Sequence, residues 1–275
     1  MLPYSDDTPS FSPPVWVIFL IGLNILFFIM SSASGHEHYV RTIFAYGTIP
    51  ARFHQAQDQP IQLDSDTEQY IRGLGVDQSE WPSPFITLLT AIFLHGGIIH
   101  LIGNMWFLWL FGDNVEDRLG KLIFPIFYIV AGVVAGLIHI VLNFDSPVPA
   151  IGASGAIAGV MGAYIYMFPR ARIATLINWG FYFTTVYIPS SLYLGIWFLL
   201  QLFGGFVSGG GTNIAVWAHV GGFLAGLLLA MLFHATGIIT WYPGDRGYRD
   251  LFPQRSARTS PYPPLRRPKR YTWRE

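Results

Sequence analysis

Apolar residues run almost unbroken through Val15–Met30, Phe85–Phe111, Leu122–Leu142, Ala153–Phe168, Leu192–Val207 and Ala215–Phe233, and His95-Gly96-Gly97 interrupts the second run. A bilayer core of about 30 Å takes about 20 helical residues. The pattern therefore predicts spans at residues 15–31, 92–112, 121–142, 153–168, 190–207 and 215–235. The expected fold class is an all-α membrane protein, a six-transmembrane-helix bundle over residues 15–236. A short N-terminus (1–14) precedes it, and a basic tail (237–275) follows, rich in Pro and Arg and expected to be disordered.

Between the first two spans lies a long, acidic connector, residues 32–91. Its apolar patches, Tyr39–Ile49 and Ile71–Val76, fit interfacial helices and an ordinary surface loop equally well. Ile173–Ile188, apolar but mixed with Asn178, Thr184 and Thr185, reads as an interfacial segment. Val15–Met30 followed by Ser31-Ser32-Ala33 has the outline of a cleaved signal peptide. Asp6 and Asp7 precede it where Lys or Arg would be expected, so it is kept as a span.

Composition sharpens the picture. Charged residues make up 12% of the chain and hydrophobic ones 52%, whereas soluble domains are about a quarter charged; such a chain needs lipid around it. The formal net charge is zero, yet the basic residues are sorted: Arg118 and Lys121, Arg170 and Arg172, and the tail carry them, while the turns Asn143–Gly152 and Ser208–Ile214 have none. By the positive-inside rule both termini are cytoplasmic and those two turns lie outside. The second, fourth and sixth spans then all enter from the outer side, and the cell membrane is the expected location. With no cysteine in the chain, thiol nucleophiles and thiolate metal sites are excluded.

Polar groups in apolar spans are expensive and call for a reason. His100 and Asn104 lie in the second span, Ser154 opens the fourth and His219 lies near the start of the sixth. At 1.5 Å per residue, Ser154 to Phe168 and His219 to Phe233 each measure about 22 Å, and His100 to Asp113 about 20 Å. Against a core of about 30 Å, all four groups fall on one level about 8 to 10 Å below the outer boundary. Hydrocarbon does not tolerate unpaired polar groups at that depth, so a shared, water-reachable cavity open to the outside is expected.

Small residues at Gly155, Gly159 and Gly162 on the fourth span, and at Gly222 and Gly226 on the sixth, allow close helix packing. That approach would bring Ser154 and His219 together. An imidazole within hydrogen-bond reach activates a serine hydroxyl, which gives a dyad without an acidic third member, and hence slow turnover. For the oxyanion, the backbone N–H groups of Ser154 and Gly155 are free at the helix start. The side chains of His100 and Asn104 share one helix face as further donors.

The segments FLHGGIIHLIGNMWFLWLFGDNVEDRLG (Phe93–Gly120), IGASGAIAGVMGAY (Ile151–Tyr164) and AHVGGFLAG (Ala218–Gly226) resemble those of rhomboid intramembrane serine proteases. The resemblance implies a six-helix bundle that cleaves transmembrane segments of other membrane proteins near their outer end. Position by position, it places the nucleophile on Ser154, the general base on His219 and the oxyanion-stabilising side chains on His100 and Asn104. It also places a structural, loop-ordering histidine on His95 and an acidic turn on Glu116. Members of the family often carry a Trp-Arg pair in the first loop, which Trp81-Pro82 does not reproduce, and some stack an aromatic residue on the histidine where this chain has Ala158.

The main alternative is an inactive rhomboid-like protein that binds transmembrane helices without cutting them. A transporter is disfavoured because no Asp, Glu, Lys or Arg sits inside the spans around the site. A zinc protease would need HExxH, and His95 and His100 lack both the spacing and the Glu. No cofactor, metal or nucleic acid is expected; the partners expected are membrane-protein substrates and lipid.

Overall fold

The computed structural model describes residues 1–54, 63, 65–75, 78–207 and 215–242. The turn expected at Ser208–Ile214 and the tail beyond residue 242 lie outside the described residues. In chain order the elements are β1 (Leu2–Asp6), α1 (Val15–Ala33), α2 (His36–Tyr46), α3 (Ser65–Gly73), α4 (Pro84–Thr90), α5 (Ile98–Leu142), α6 (Ser154–Met167), β2 (Arg172–Asn178), β3 (Phe183–Pro189), α7 (Ser190–Val207) and α8 (Val216–Ala235). Among the described residues, four helices, α1, α5, α7 and α8, are long and apolar enough to cross a membrane.

The 45 residues of α5 are two helical arms broken at Gly120, whose φ of 78° is one that only glycine adopts without strain. The break separates the second expected span from the third. The turn around it is built on buried charge. Glu116 accepts the Trp16 and Val17 N–H groups at 3.1 and 2.9 Å, filling the unsatisfied donors at the start of α1, and receives Lys121 Nζ at 2.7 Å. Beside it, Asp117 pairs with fully buried Arg118 and takes Ser12 Oγ at 2.6 Å. The N-terminal segment is thereby fastened to the base of α5.

Helix α6 occupies the centre, with every residue from Gly155 to Tyr164 buried. Its uniform run of Gly, Ala, Ile, Val and Met has no polar face, as a helix enclosed on all sides requires. Fourteen residues make about 21 Å, short of the roughly 30 Å core.

An all-α class was expected; instead a three-stranded antiparallel sheet, ordered β1-β2-β3, accompanies the helices. The residues read as an interfacial segment at Ile173–Ile188 form the β2–β3 hairpin. Their β-branched and aromatic content and the Asn178-Trp179-Gly180 turn, where Gly180 has φ +90° and its N–H bonds Asn178 Oδ1, favour strands. Residues of the N-terminal segment pack on the helices: Pro3 O accepts Trp106 Nε1 at 2.6 Å, setting β1 along the first arm of α5.

In the connector, α2 and α3 fall on or beside the two apolar patches. The Arg52 guanidinium lies 5.0 Å over the Trp81 ring, so a Trp–Arg contact is assembled from positions distant in sequence.

Candidate active site

Backbone against backbone is how α6 meets α8. A methyl group added at Gly222 would lie 2.0 Å from Gly155 O, at Gly226 1.9 Å from Gly159 O, and at Gly162 2.0 Å from Phe223 O. On the opposite side of α6, a methyl at Gly155 or Gly159 would meet Ala135 Cβ at 2.7 Å or Ala131 Cβ at 2.5 Å on the second arm of α5. Only glycine permits this approach.

At the top of that contact Ser154, the first residue of α6, sits 2.8 Å from His219, measured Oγ to Nε2. The other imidazole nitrogen, Nδ1, lies 2.9 Å from Gln201 Oε1 on α7. An amide oxygen only accepts, so this contact is a hydrogen bond when Nδ1 carries the proton, the form that leaves a lone pair on Nε2 facing the hydroxyl. One turn earlier on α7, the Trp197 ring lies against the imidazole with centroids 5.9 Å apart.

His100 and Asn104 reach the site from α5. Gly152, two residues before the serine, has φ +124°, and a methyl there would strike His100 Cε1 at 2.8 Å and approach Asn104 Nδ2 at 3.5 Å. This glycine therefore lets the strand-like chain before Ser154 pass over both side chains. Its N–H is anchored to Ala91 O at 2.8 Å. Asn104 is buried, and its Nδ2 makes no hydrogen bond among the described residues. A buried donor without a partner is costly, and here it sits beside the start of α6, where Ser154 and Gly155 present backbone N–H groups that the helix cannot satisfy.

His95 is buried, packs edge-on against His100 with centroids 5.3 Å apart, and offers its main-chain oxygen to Tyr39 Oη at 2.8 Å, tying α2 to the start of α5. Glu116 lies at the far end of the same arm in the capping role described above. Behind Ser154 a cavity of about 40 Å³, lined in part by Thr48, His139, Gly152 and Ser154, is large enough for a water molecule. Among the described residues no cluster of His, Asp or Glu is arranged to hold a metal ion.

A family model described as the Rhomboid domain matches residues 82–236, which contain His100, Asn104, Ser154 and His219. The chain belongs to the rhomboid family. It is 30% identical over 243 residues to Rhomboid protease GluP of Bacillus subtilis (strain 168), covering 84% of this chain and 41% of that one. RHOMBOID-like protein 5 of Arabidopsis thaliana is 31% identical over 145 residues, covering 53% of this chain and 43% of its own. The Presenilin-associated rhomboid-like protein, mitochondrial, of Mus musculus is 32% identical over 99 residues, 35% of this chain and 26% of that one. The chain thus spans less than half the length of these relatives. Family membership and its apolar helices make it an integral membrane protein.

Sequence reasoning passed over three residues of this rhomboid site: Gly152, Trp197 and Gln201. The signal for Gln201 was present, because it is the one amide or charged side chain in the run Leu192–Val207. A search for a carboxylate to orient His219 does not find it.

Proposed function

We propose that this rhomboid protein is an intramembrane serine endopeptidase that cleaves transmembrane segments of other membrane proteins near their outer end, with Ser154 as nucleophile and His219 as general base. The observation that carries the reading is the 2.8 Å contact between Ser154 Oγ and His219 Nε2. Ser154 Oγ attacks the scissile carbonyl carbon and His219 Nε2 takes its proton. The resulting oxyanion is held by the Ser154 and Gly155 N–H groups and by Asn104 Nδ2, with His100 beside them. As the C–N bond breaks, the proton passes from Nε2 to the leaving amine. Water then adds to the acyl ester with His219 again as base, and Ser154 is released; the cavity behind Ser154 provides room for such a water.

The proposed topology has six spans, the two arms of α5 crossing separately and the short α6 starting below the outer surface. Both termini are cytoplasmic and the site opens to the outer side of the cell membrane, in keeping with the sorting of Lys and Arg. A protein that only bound transmembrane helices would have no need of an oriented hydroxyl–imidazole pair and an unpaired donor at one point. The test is cleavage, in proteoliposomes, of a labelled single-span substrate bearing a small residue and a helix-breaking Gly or Pro near its outer end. The wild type is expected to cut it and Ser154→Ala to leave it intact; equal rates would defeat the proposal.

A further inference from the structure

The residue that orients the proposed base comes from neither α6 nor α8. Ala158, one turn after Ser154 on α6, is too small to reach His219, and the spans around the site contain no carboxylate. The two side chains that touch the imidazole from its far side, Trp197 and Gln201, are four residues apart on α7 and so share one face of that helix. We infer that Gln201 is the positioning residue of this dyad: its amide oxygen holds the Nδ1–H of His219 and so presents Nε2 to Ser154.

The physical need is plain. A neutral imidazole exchanges between two N–H tautomers, and the Nε2–H form would donate toward Ser154 and accept no proton from it. In the triad template a carboxylate fixes the tautomer. A carboxylate buried without a cation would carry a heavy desolvation penalty here, whereas a neutral amide supplies the same acceptor at little electrostatic cost. Trp197 adds a flat wall that limits rotation of the ring. Among the described residues, His100 and His139 of α5 are the other titratable groups that act on His219, and neither is its bonded partner. Because the amide is on α7 and the imidazole on α8, the base is in register only while these two helices stay in contact.

This inference rests on the proposed protease reading for its effect on rate, but not for its effect on the imidazole itself. The test uses the full chain in micelles and in proteoliposomes, as wild type, as Gln201→Met, which keeps the length without the acceptor, and as Gln201→Glu, which keeps an acceptor oxygen in either protonation state. In long-range proton–nitrogen spectra of histidine-labelled protein, the His219 signals, assigned by their loss in His219→Asn, are expected to show one Nδ1–H tautomer. Gln201→Met should mix the tautomers and lower kcat about tenfold, the worth of one neutral hydrogen bond, with KM and thermal stability little changed, and Gln201→Glu should restore both. An Nε2–H tautomer in the wild type, or Gln201→Met matching wild type in tautomer and kcat while the wild type cleaves, overturns the inference and leaves the protease reading standing. A tautomer change from wild type to Gln201→Met, where the wild type neither cleaves nor is labelled by an active-site probe, upholds the positioning and defeats the protease reading.

Discussion

Asn104→Ala separates an oxyanion donor from a packing residue. In the resting protein Asn104 Nδ2 is buried and bonded to nothing among the described residues, so the substitution breaks no hydrogen bond in the fold. It removes a polar group whose burial unpaired already costs about 1–3 kcal/mol. The small void left behind works in the opposite direction, and the net change in stability is expected to stay within about 1 kcal/mol. On the proposed mechanism the balance differs in the transition state, because negative charge develops on the substrate oxygen and the free N–H would be the group to meet it. Losing one such donor costs about 10²–10³ in kcat. The lower figure is the expectation here, since backbone donors at the start of α6 remain, and it corresponds to about 2.7 kcal/mol. Initial rates across substrate mole fractions in proteoliposomes give kcat and KM, and thermal unfolding in detergent gives stability. The expected result is a kcat about 100-fold lower with KM unchanged. A rate within about twofold of wild type, or a loss matched by a fall in stability, would refute the role.

Gly152→Ala should lower kcat by on the order of 10²-fold, because its methyl group would meet His100 Cε1 at 2.8 Å and the backbone φ of +124° suits glycine; an Ala variant with wild-type kinetics would contradict the packing described. Glu116→Ala should destabilise the fold by about 1–3 kcal/mol for each donor stranded, with kcat per folded molecule unchanged, since Glu116 serves the start of α1 and Lys121 far from Ser154; detergent unfolding and active-site titration check the two halves. Asp6, outside the spans, is pushed up to about 8 from 3.8, first by burial and then by the Asp113 carboxylate. Its proton is therefore held more tightly in the folded state: the stabilisation is complete below the unfolded value and is lost as pH rises through the folded one. Unfolding temperature should fall between about pH 4 and about pH 8, the unfolded and folded values, and Asp6→Asn should flatten that slope; an unaltered slope would count against it.

The apolar runs carried most of the architecture, since lipid solubility forces long helices to declare themselves in composition. The break between the two arms of α5 fell near Gly120, where a short charged turn interrupts the hydropathy. The sheet was hidden for a physical reason: β1 lies more than 160 residues from its partner β2, and the run Arg172–Asn178 lacks the strict polar–apolar alternation that marks a strand. The pair Ser154 and His219 was legible because a hydroxyl and an imidazole in apolar helices demand an explanation, and glycines on both helices supplied the means of approach. Gln201 was obscured because a lone amide in a span usually serves helix packing. Gly152 was visible as a letter, but its clash with His100 exists only once α5 is beside α6.

The most direct measurement is covalent labelling of the wild-type chain in bilayers with a fluorophosphonate probe, followed by peptide mass analysis. The account predicts one adduct, on Ser154, absent from Ser154→Ala and strongly slowed in His219→Ala. Labelling that is absent in a folded wild type, sits on another residue, or proceeds at the same rate without His219 would contradict it.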